Sequence, residues 1–311
     1  MTTDYAPDTH IPPLDPSDSE GYRGDCGFLL DMDGVIYRGD QLVPGADLFI
    51  QRLQDEGIPF LFLTNNSANT PRDYVVKLEK FGIRVSDRCF YTCAMATVDF
   101  LRIVQPEGTA YVIGEGGILS ALYDANYGIT TKNPDFVIVG EGRTLNYEML
   151  ERAQNMVLNG ARLVATNMDT TCPMQNGFRP GAGALVMALE AATGVKAYSV
   201  GKPSAFMMRA ARKKLKLSTA QTIMVGDTME TDVRGSMELG FMSMLMLTGN
   251  TSLADLARYP YRPTVIYDSV ADIDIDDARR AVRRRLATDS PFPTSTATKT
   301  KSGPRTPALA G

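Results

Sequence analysis

Two carboxylates stand one residue apart in Asp31-Met32-Asp33-Gly34-Val35-Ile36, directly after the apolar run Gly27–Leu30. Such a pair can divide the labour of displacing an oxygen leaving group. One acid attacks as an oxygen nucleophile, while the other gives a proton to the departing oxygen and later takes one from water. Transfer of a phosphoryl group asks for both functions, together with positive charge to neutralise the phosphoryl oxygens. In an extended strand the two acids share a face, and Gly34 permits a sharp turn just after them. Asp31 is therefore the candidate nucleophile and Asp33 the candidate acid and base. Asp31, Asp227 and the Asp33 backbone carbonyl also offer the hard oxygens that Mg²⁺ prefers, so magnesium is the expected cofactor.

Composition narrows the alternatives. The single histidine, His10, lies in a Pro/Asp/Ser-rich stretch. Ser-His-Asp triads, Cys-His pairs and His-ligated zinc are thereby set aside, leaving carboxylates, lysine, hydroxyls and thiols. The four cysteines, Cys26, Cys89, Cys93 and Cys172, form no CxxC pair, and with no signal peptide at the start the expected setting is the reducing cytoplasm. A net charge of −4 and a pI near 5.2 argue against nucleic-acid or anionic-membrane partners, which need a basic surface. No apolar run approaches the ~20 residues of a membrane-spanning helix.

The elements that must hold these residues read as alternating strands and helices. Gly27–Leu30, Ile58–Leu63, Ile223–Val225, Phe241–Leu247 and Thr264–Tyr267 are apolar runs of strand length, with helical patterns over Arg72–Phe81, Ser204–Leu215 and Glu230–Leu239. That alternation predicts an α/β fold, a parallel sheet with helices on both faces. Ligands in such folds bind beyond the carboxyl ends of the strands, which is where Asp31, Thr64 and Asp227 stand. Residues 97–197 carry their own alternation, with strands expected at Ala110–Ile113, Phe136–Val139 and Arg162–Ala165 and helices at Ile118–Tyr123, Tyr147–Leu158 and Ala184–Ala192. The expected organisation is a flexible extension over 1–22, a core of 23–96 plus 198–288, an inserted module over 97–197 and a disordered tail over 289–311. The five arginines between Arg279 and Arg285 read as a solvated helix end.

With these residues in place, the chain resembles the haloacid dehalogenase (HAD) superfamily. Asp31–Ile36 is similar to its first motif. Thr64, ending Phe60-Leu61-Phe62-Leu63-Thr64-Asn65-Asn66, resembles the second, where a hydroxyl and backbone amides bind a phosphoryl oxygen. Lys202 in Val200-Gly201-Lys202-Pro203 resembles the third, whose ammonium holds phosphoryl charge, and Gly226-Asp227-Thr228-Met229-Glu230-Thr231-Asp232 resembles the fourth, whose acids serve the metal. The resemblance covers most of residues 25–270. Tyr37-Arg38-Gly39-Asp40 with Pro44-Gly45-Ala46, Thr64-Asn65-Asn66-Ser67 and Gly201-Lys202-Pro203-Ser204 are similar to subfamily IIA, the NagD- and chronophin-like phosphatases.

The resemblance implies a Rossmann-like core with an inserted C2-type cap, Thr64 and Lys202 beside the catalytic acids, and an aspartyl-phosphate intermediate on Asp31. It places Asp232 near the metal, in an orienting or outer role because a residue five along from Asp227 is not expected to reach the ion. Asn65 and Asn66, with Asn167, Asp169 and Arg179 from Ala165-Thr166-Asn167-Met168-Asp169 and Arg179-Pro180-Gly181-Ala182-Gly183, become candidate substrate contacts. Asn65 and Ser67 have a competing reading as caps of the helix that follows. Positions 228 and 230 depart from the family pattern with Thr228 and Glu230, which bears on specificity. The implied partner is a small phosphorylated metabolite, such as a nucleoside monophosphate or sugar phosphate, and a homodimer is the implied assembly.

Two alternatives compete. Within enzymes the alternative is dehalogenase or phosphonate chemistry; dehalogenases of this superfamily need no proton donor, so Asp33 weighs against them. A catalytically silent phosphometabolite-binding protein of the same fold is the other, disfavoured by the full set of Asp31, Asp33, Thr64, Lys202 and Asp227. Other phosphate motifs fail: the Walker-like Gly201-Lys202-Pro203-Ser204 has Lys196 where a glycine is required, and Gly114-Glu115-Gly116-Gly117 has Leu119 at the last glycine of a dinucleotide loop.

Overall fold

A computed structural model describes residues 24–174, 177–288, 297–300 and 303–305. The expected 1–22 extension, His10 and most of the 289–311 tail lie outside the described residues.

The central strands are mostly apolar and buried at all but one position, so both faces must be covered, and the period of two divides their side chains between two cores. Phe28, Leu30, Phe62, Ile223 and Val225 face one side, where they pack on Ile50, Leu53, Tyr74, Leu78 and Val282 from helices Ala46–Asp55, Pro71–Lys80 and Ile275–Thr288. Leu29, Leu61, Leu63 and Met224 face the other side, against Leu101, Met207 and Ala211 from helices Cys93–Val104 and Ala205–Lys214. The resulting sheet has eight strands. From one edge they run Gly303–Arg305, Ala297–Thr300, Val265–Tyr267, Met242–Met246, Thr222–Gly226, Gly27–Leu30, Phe60–Thr64 and Phe90–Thr92. All neighbours are parallel except the first pair. The expectation of a disordered tail is corrected here in part, since Ala297–Thr300 pairs with Val265–Tyr267 and Gly303–Arg305 folds back on it. Alternating Ala-Thr-Lys-Thr supplies a β-branched residue at every second position, which suits a strand.

Local signals set the helix ends. Thr70 and Asp73 form a reciprocal capping box, with Pro71 at the first helical position. The competing reading of Asn65 and Ser67 as caps is thereby corrected, since Thr70 takes that place. The expected helix over Glu230–Leu239 is also revised. Met229–Val233 forms a single wide π-type turn, and regular α-helix begins only at Arg234.

The inserted module has a five-stranded parallel sheet ordered Tyr198–Ser199, Arg162–Ala165, Phe136–Val139, Thr109–Ile113, Gly128–Ile129. Its outer face packs on helices Tyr147–Leu158 and Ala182–Thr193 through Val157, Val186 and Leu189. Its inner face joins the second core: Ala110, Phe136, Ile138 and Val164 belong to the same apolar cluster as Leu29 and Leu101. The boundaries of 97 and 197 therefore shift. The first cuts the Cys93–Val104 helix, which is packed between the two sheets, and the second misses Tyr198–Ser199, a strand of the inserted sheet. An antiparallel hairpin, Thr171–Met174 with Gly177–Pro180, projects from this module. It contains no long apolar run, so the sequence carries no strand signal for it. Among the described residues, no helix is long and apolar enough to cross a membrane.

Candidate active site

Three adjacent central strands end at the same edge of the large sheet. Gly27–Leu30 delivers Asp31, whose N–H continues the ladder to the Val225 carbonyl at 2.8 Å. Thr222–Gly226 delivers Asp227 and Phe60–Thr64 ends in Thr64 itself. The strand carrying Asp31 has neighbours on both sides that continue in opposite directions through the sheet, which opens a crevice at its carboxyl end.

Two glycines allow the close approach. Gly34 has φ +81°, and a Cβ there would sit 2.4 Å from Asp227 Oδ2. A Cβ on Gly249 would sit 1.9 Å from the same oxygen. The Asp227 carboxylate is thus clasped between two backbones that no side chain could share. It is held there by the Asn250 N–H at 2.7 Å and the Thr228 hydroxyl at 3.0 Å.

Lys202 is the hub. Its Nζ lies 2.8 Å from Asp31 Oδ1 and 2.8 Å from Asp232 Oδ1, with the side chain almost wholly buried. The wide turn over Met229–Val233 swings Asp232 inward, and π-type turns of this sort recur at functional sites. Ligand oxygens of Asp31, Asp227 and Asp232 all come within 4.8 Å of one another. This revises the expectation that Asp232 falls short of an ion at Asp31 and Asp227, while its contact with Lys202 agrees with the orienting role.

The charges in this floor do not balance. Three buried acids share one ammonium. Burial raises the Asp31 pKa to about 7, Lys202 pulling it down and Asp227 pushing it up. Burial, and for Asp227 the neighbouring Asp232 charge, lifts Asp227 and Asp232 to about 6. Burial alone would lower the Lys202 pKa, but Asp232 and Asp31 more than offset that and raise it, so the ammonium stays charged. A divalent cation would bring the cluster of three carboxylates and one ammonium to neutrality. The donor set of three carboxylate oxygens is also of the hard type that Mg²⁺ takes, so the residues present fit that ion.

Asp33 stands apart from this cluster. Its side chain reaches the open cleft, 3.5 Å from the Tyr37 hydroxyl. Protein crowds it on most other sides, which raises its pKa; Lys77 opposes that rise. A carboxyl that reaches solvent and holds its proton more tightly than usual is suited to proton transfer.

Thr64, Asn65 and Asn66 follow in one turn. The Thr64 hydroxyl accepts from the Asn66 N–H at 3.1 Å, and both residues line the cleft. The Asn66 side chain is occupied in its own turn, accepting from the Ala68 and Asn69 N–H groups. Asn65 ties three segments together: its amide donates to Asp169 Oδ2 at 3.1 Å and to the Lys202 carbonyl at 3.0 Å, and accepts from the Lys202 N–H at 2.7 Å.

The inserted module roofs the site. Asp169 and Arg179 line the cleft. Asn167 does not, which corrects its assignment as a substrate contact. It is fully buried, donating to the Asn65 carbonyl at 2.7 Å and accepting from the Asp169 N–H at 3.0 Å. A buried amide satisfied at both ends is a strut between module and core. The cleft encloses about 740 Å³ and also meets Glu141, Cys172, Phe178, Glu230 and Asn250. Glu141 and Asn250 were missed in the sequence; Glu141 stands two residues past the strand Phe136–Val139, a position like that of Asp227, whereas Asn250 lies four residues beyond Met246 on a loop that carries no such local signal. Phe178 and Cys172 sit on the unanticipated hairpin.

Comparison with known proteins bears on this geometry. Residues 28–128 match a family of haloacid dehalogenase-like hydrolases, and residues 199–273 match a related HAD-hydrolase-like family. The chain is 44% identical over 248 residues to the ribonucleotide monophosphatase NagD of Escherichia coli K12, covering 79% of this chain and 97% of NagD. It is 42% identical over 246 residues to a dihydroxyacetone phosphatase of Corynebacterium glutamicum (strain R), covering 79% and 90% of the two chains. The solved E. coli NagD structure superposes with a TM-score of 0.76 at 43% identity over 81% of this chain and 99% of that one. A p-nitrophenyl phosphatase from Archaeoglobus fulgidus superposes with 0.76 at 30% identity over 80% and 98%.

Proposed function

The chain belongs to the haloacid dehalogenase-like hydrolases and is a NagD-like phosphatase, and from that premise we propose that it is a magnesium-dependent hydrolase of small-molecule phosphate monoesters with Asp31 as nucleophile. The observation that carries this reading is the floor of the cleft, where Lys202 bridges Asp31 and Asp232 beside Asp227.

In this mechanism an Asp31 carboxylate oxygen attacks phosphorus and the bond from phosphorus to the leaving oxygen breaks. Asp33 protonates that oxygen, and the product alcohol departs. Asp33, now ionised, takes a proton from water, whose oxygen attacks the phosphorus of the aspartyl-phosphate. The bond to Asp31 breaks, inorganic phosphate leaves and Asp31 is restored. Lys202 holds phosphoryl charge and keeps one Asp31 oxygen fixed, while the Thr64 hydroxyl and the backbone amides after it offer hydrogen bonds to phosphoryl oxygens. Mg²⁺, held by Asp31, Asp227 and Asp232 with the Asp33 carbonyl, would supply the charge that keeps the acids ionised and draws the phosphate in. The inserted module closes the cleft, limits water and sets the size of the leaving group. The relatives' names point to ribonucleotides or three-carbon sugar phosphates as candidate substrates, and a cytoplasmic, homodimeric enzyme fits the same kinship.

Release of p-nitrophenol from p-nitrophenyl phosphate tests the reading. Turnover should require Mg²⁺ and cease in EDTA. A protein that binds phosphate monoesters but never turns them over would be the silent sensor instead.

A further inference from the structure

The roof of the cleft carries charge that the phosphate chemistry does not use. Glu141 is almost fully buried, and its Oε2 lies 2.7 Å from Arg179 Nη2. The acid is locked in position. Its N–H donates to the Ser67 hydroxyl at 2.8 Å, and the preceding Gly140 leaves no room for a Cβ, which would stand 2.8 Å from that same oxygen. Glu141 is therefore fixed to the segment that follows Thr64, and it fixes Arg179 over the cleft.

Three cations line the cleft, and each already has a carboxylate partner. Lys202 is held by Asp31 and Asp232, Arg179 by Glu141, and Arg234 by Glu238 at 2.8 Å. Asp169 and Glu230 face the same space as further acids. The two cations held inside the cleft, Lys202 and Arg179, are thus both committed to buried carboxylates, while Arg234 stands at the solvent edge in an exposed pair. A second anionic group on the substrate, remote from the phosphate, would meet carboxylates without a free counter-charge. A hydroxyl or carbonyl oxygen could instead accept from the spare N–H groups of the paired Arg179.

We infer that this enzyme selects phosphate monoesters whose leaving group is uncharged and oxygen-rich, and that Glu141, by neutralising Arg179, is the positioning residue that excludes leaving groups bearing a carboxylate. This deepens the phosphatase reading and rests on it. Like charges facing each other unpaired cost enough to decide between substrates.

Glycerol 3-phosphate and 3-phosphoglycerate make the comparison, because they share a carbon count and differ in bearing an alcohol or a carboxylate at the far end. With Mg²⁺ and the full chain, kcat/KM for the alcohol should exceed that for the carboxylate by about tenfold or more. Glu141→Gln keeps the shape and removes the charge, and should narrow that ratio by about tenfold. Arg179→Gln leaves Glu141 unpaired and should widen it. A wild-type ratio near one or below overturns the inference without recourse to any variant, as does a Glu141→Gln ratio within about twofold of wild type. p-Nitrophenyl phosphate separates the two levels of the claim. Turnover of it alongside indiscriminate use of the pair sinks only the selectivity, whereas no turnover of any monoester sinks the phosphatase reading as well.

Discussion

The floor and the roof of the cleft are built on opposite principles. The floor takes Asp31, Asp227, Asp232 and Lys202 from the large sheet and its flanking turns, buries them, and leaves an excess of negative charge that only a further cation could relieve. The roof takes Asp169, Glu141 and Arg179 from the inserted module, pairs its cation with a carboxylate, and exposes much of its hairpin, where Phe178 is 74% accessible. A site built to react stores uncompensated charge, whereas a site built to choose can be neutral and partly open. Substitutions in the floor should accordingly abolish turnover or unbalance the fold, and those in the roof should reweight substrates.

The largest expected effect is Asp31→Asn. An amide cannot attack phosphorus, so kcat should fall by at least about 10⁴-fold, the scale on which a lost nucleophile registers. The same change removes one buried charge from a cluster that has too many, so the metal-free protein should melt no lower than wild type. Loss of activity together with collapse of the fold would break the distinction drawn above.

Lys202→Met comes next. It leaves Asp31 and Asp232 without their shared partner, and removing one member of a buried ion pair costs about 3–5 kcal/mol. Thermal unfolding with and without Mg²⁺ measures it. The ion should recover part of the loss, because it competes for the same charge.

The third prediction follows from the raised acids. Asp31 titrates near 7 and Asp227 and Asp232 near 6, all above the ~3.9 of an unfolded aspartate. A carboxyl whose folded pKa is raised contributes stability below its unfolded pKa, and that contribution is lost as pH climbs through the folded value. Metal-free protein should therefore lose stability from this cluster between about pH 4 and 7. Mg²⁺ binds only the ionised acids, so its stabilisation should be small at pH 5 and large at pH 8. Paired melts in MgCl₂ and EDTA at each pH isolate the cluster, since surface ion pairs contribute equally to both. A magnesium increment that does not change with pH would count against a charge-starved floor.

The floor was far more legible in the sequence than the roof, for a physical reason. Asp31, Thr64 and Asp227 owe their places to strand ends, and an apolar run that stops at a polar residue is a local signal. Lys202 depended on resemblance to known motifs. Asp232 reads from the sequence as an orienting or outer residue, and its reach toward Asp31 and Asp227 depends on a wide turn that Met229-Glu230-Thr231-Asp232-Val233 does not announce. The roof depends on long-range pairing. Nothing near Arg179 indicates that Glu141, thirty-eight residues earlier, will hold it. Asn167 misled because a polar residue after a strand reads alike whether it faces the cleft or the module junction. The boundary at 97 failed because the Cys93–Val104 helix is apolar on two sides and serves both sheets.

Asn167→Ala tests that junction, with a smaller effect. It strands the part-buried Asp169 N–H and leaves the Asn65 carbonyl to the weaker Cys93 thiol donor at 2.8 Å, and an unmet buried hydrogen-bonding group costs about 1–3 kcal/mol. Because Asn65 and Asp169 are joined at 3.1 Å and Asn65 also pins Lys202, slackening here should reach both halves of the site. The expected signature is a lower melting temperature with KM rising more than kcat falls. The apolar cluster shared by the two sheets should still hold the module in place, since Leu29, Leu101, Phe136 and Val164 are untouched.

The smallest effect separates the roof's charge from its surface. Phe178 lines the cleft yet is mostly open to solvent, so it buries little that could be lost. Phe178→Ala should leave stability within about 0.5 kcal/mol, the usual range for exposed positions. Its consequence should be a change in KM of no more than about threefold, larger for bulky leaving groups than for glycerol 3-phosphate, because contact with an exposed ring grows with the area a ligand covers. The alcohol-to-carboxylate preference should not move, since that preference resides in Glu141 and Arg179. If Phe178→Ala shifted that ratio as far as Glu141→Gln does, selection would lie in how the hairpin packs over the substrate rather than in the charge beneath it, and the contrast between a charge-starved floor and a charge-paired roof would lose its meaning for specificity.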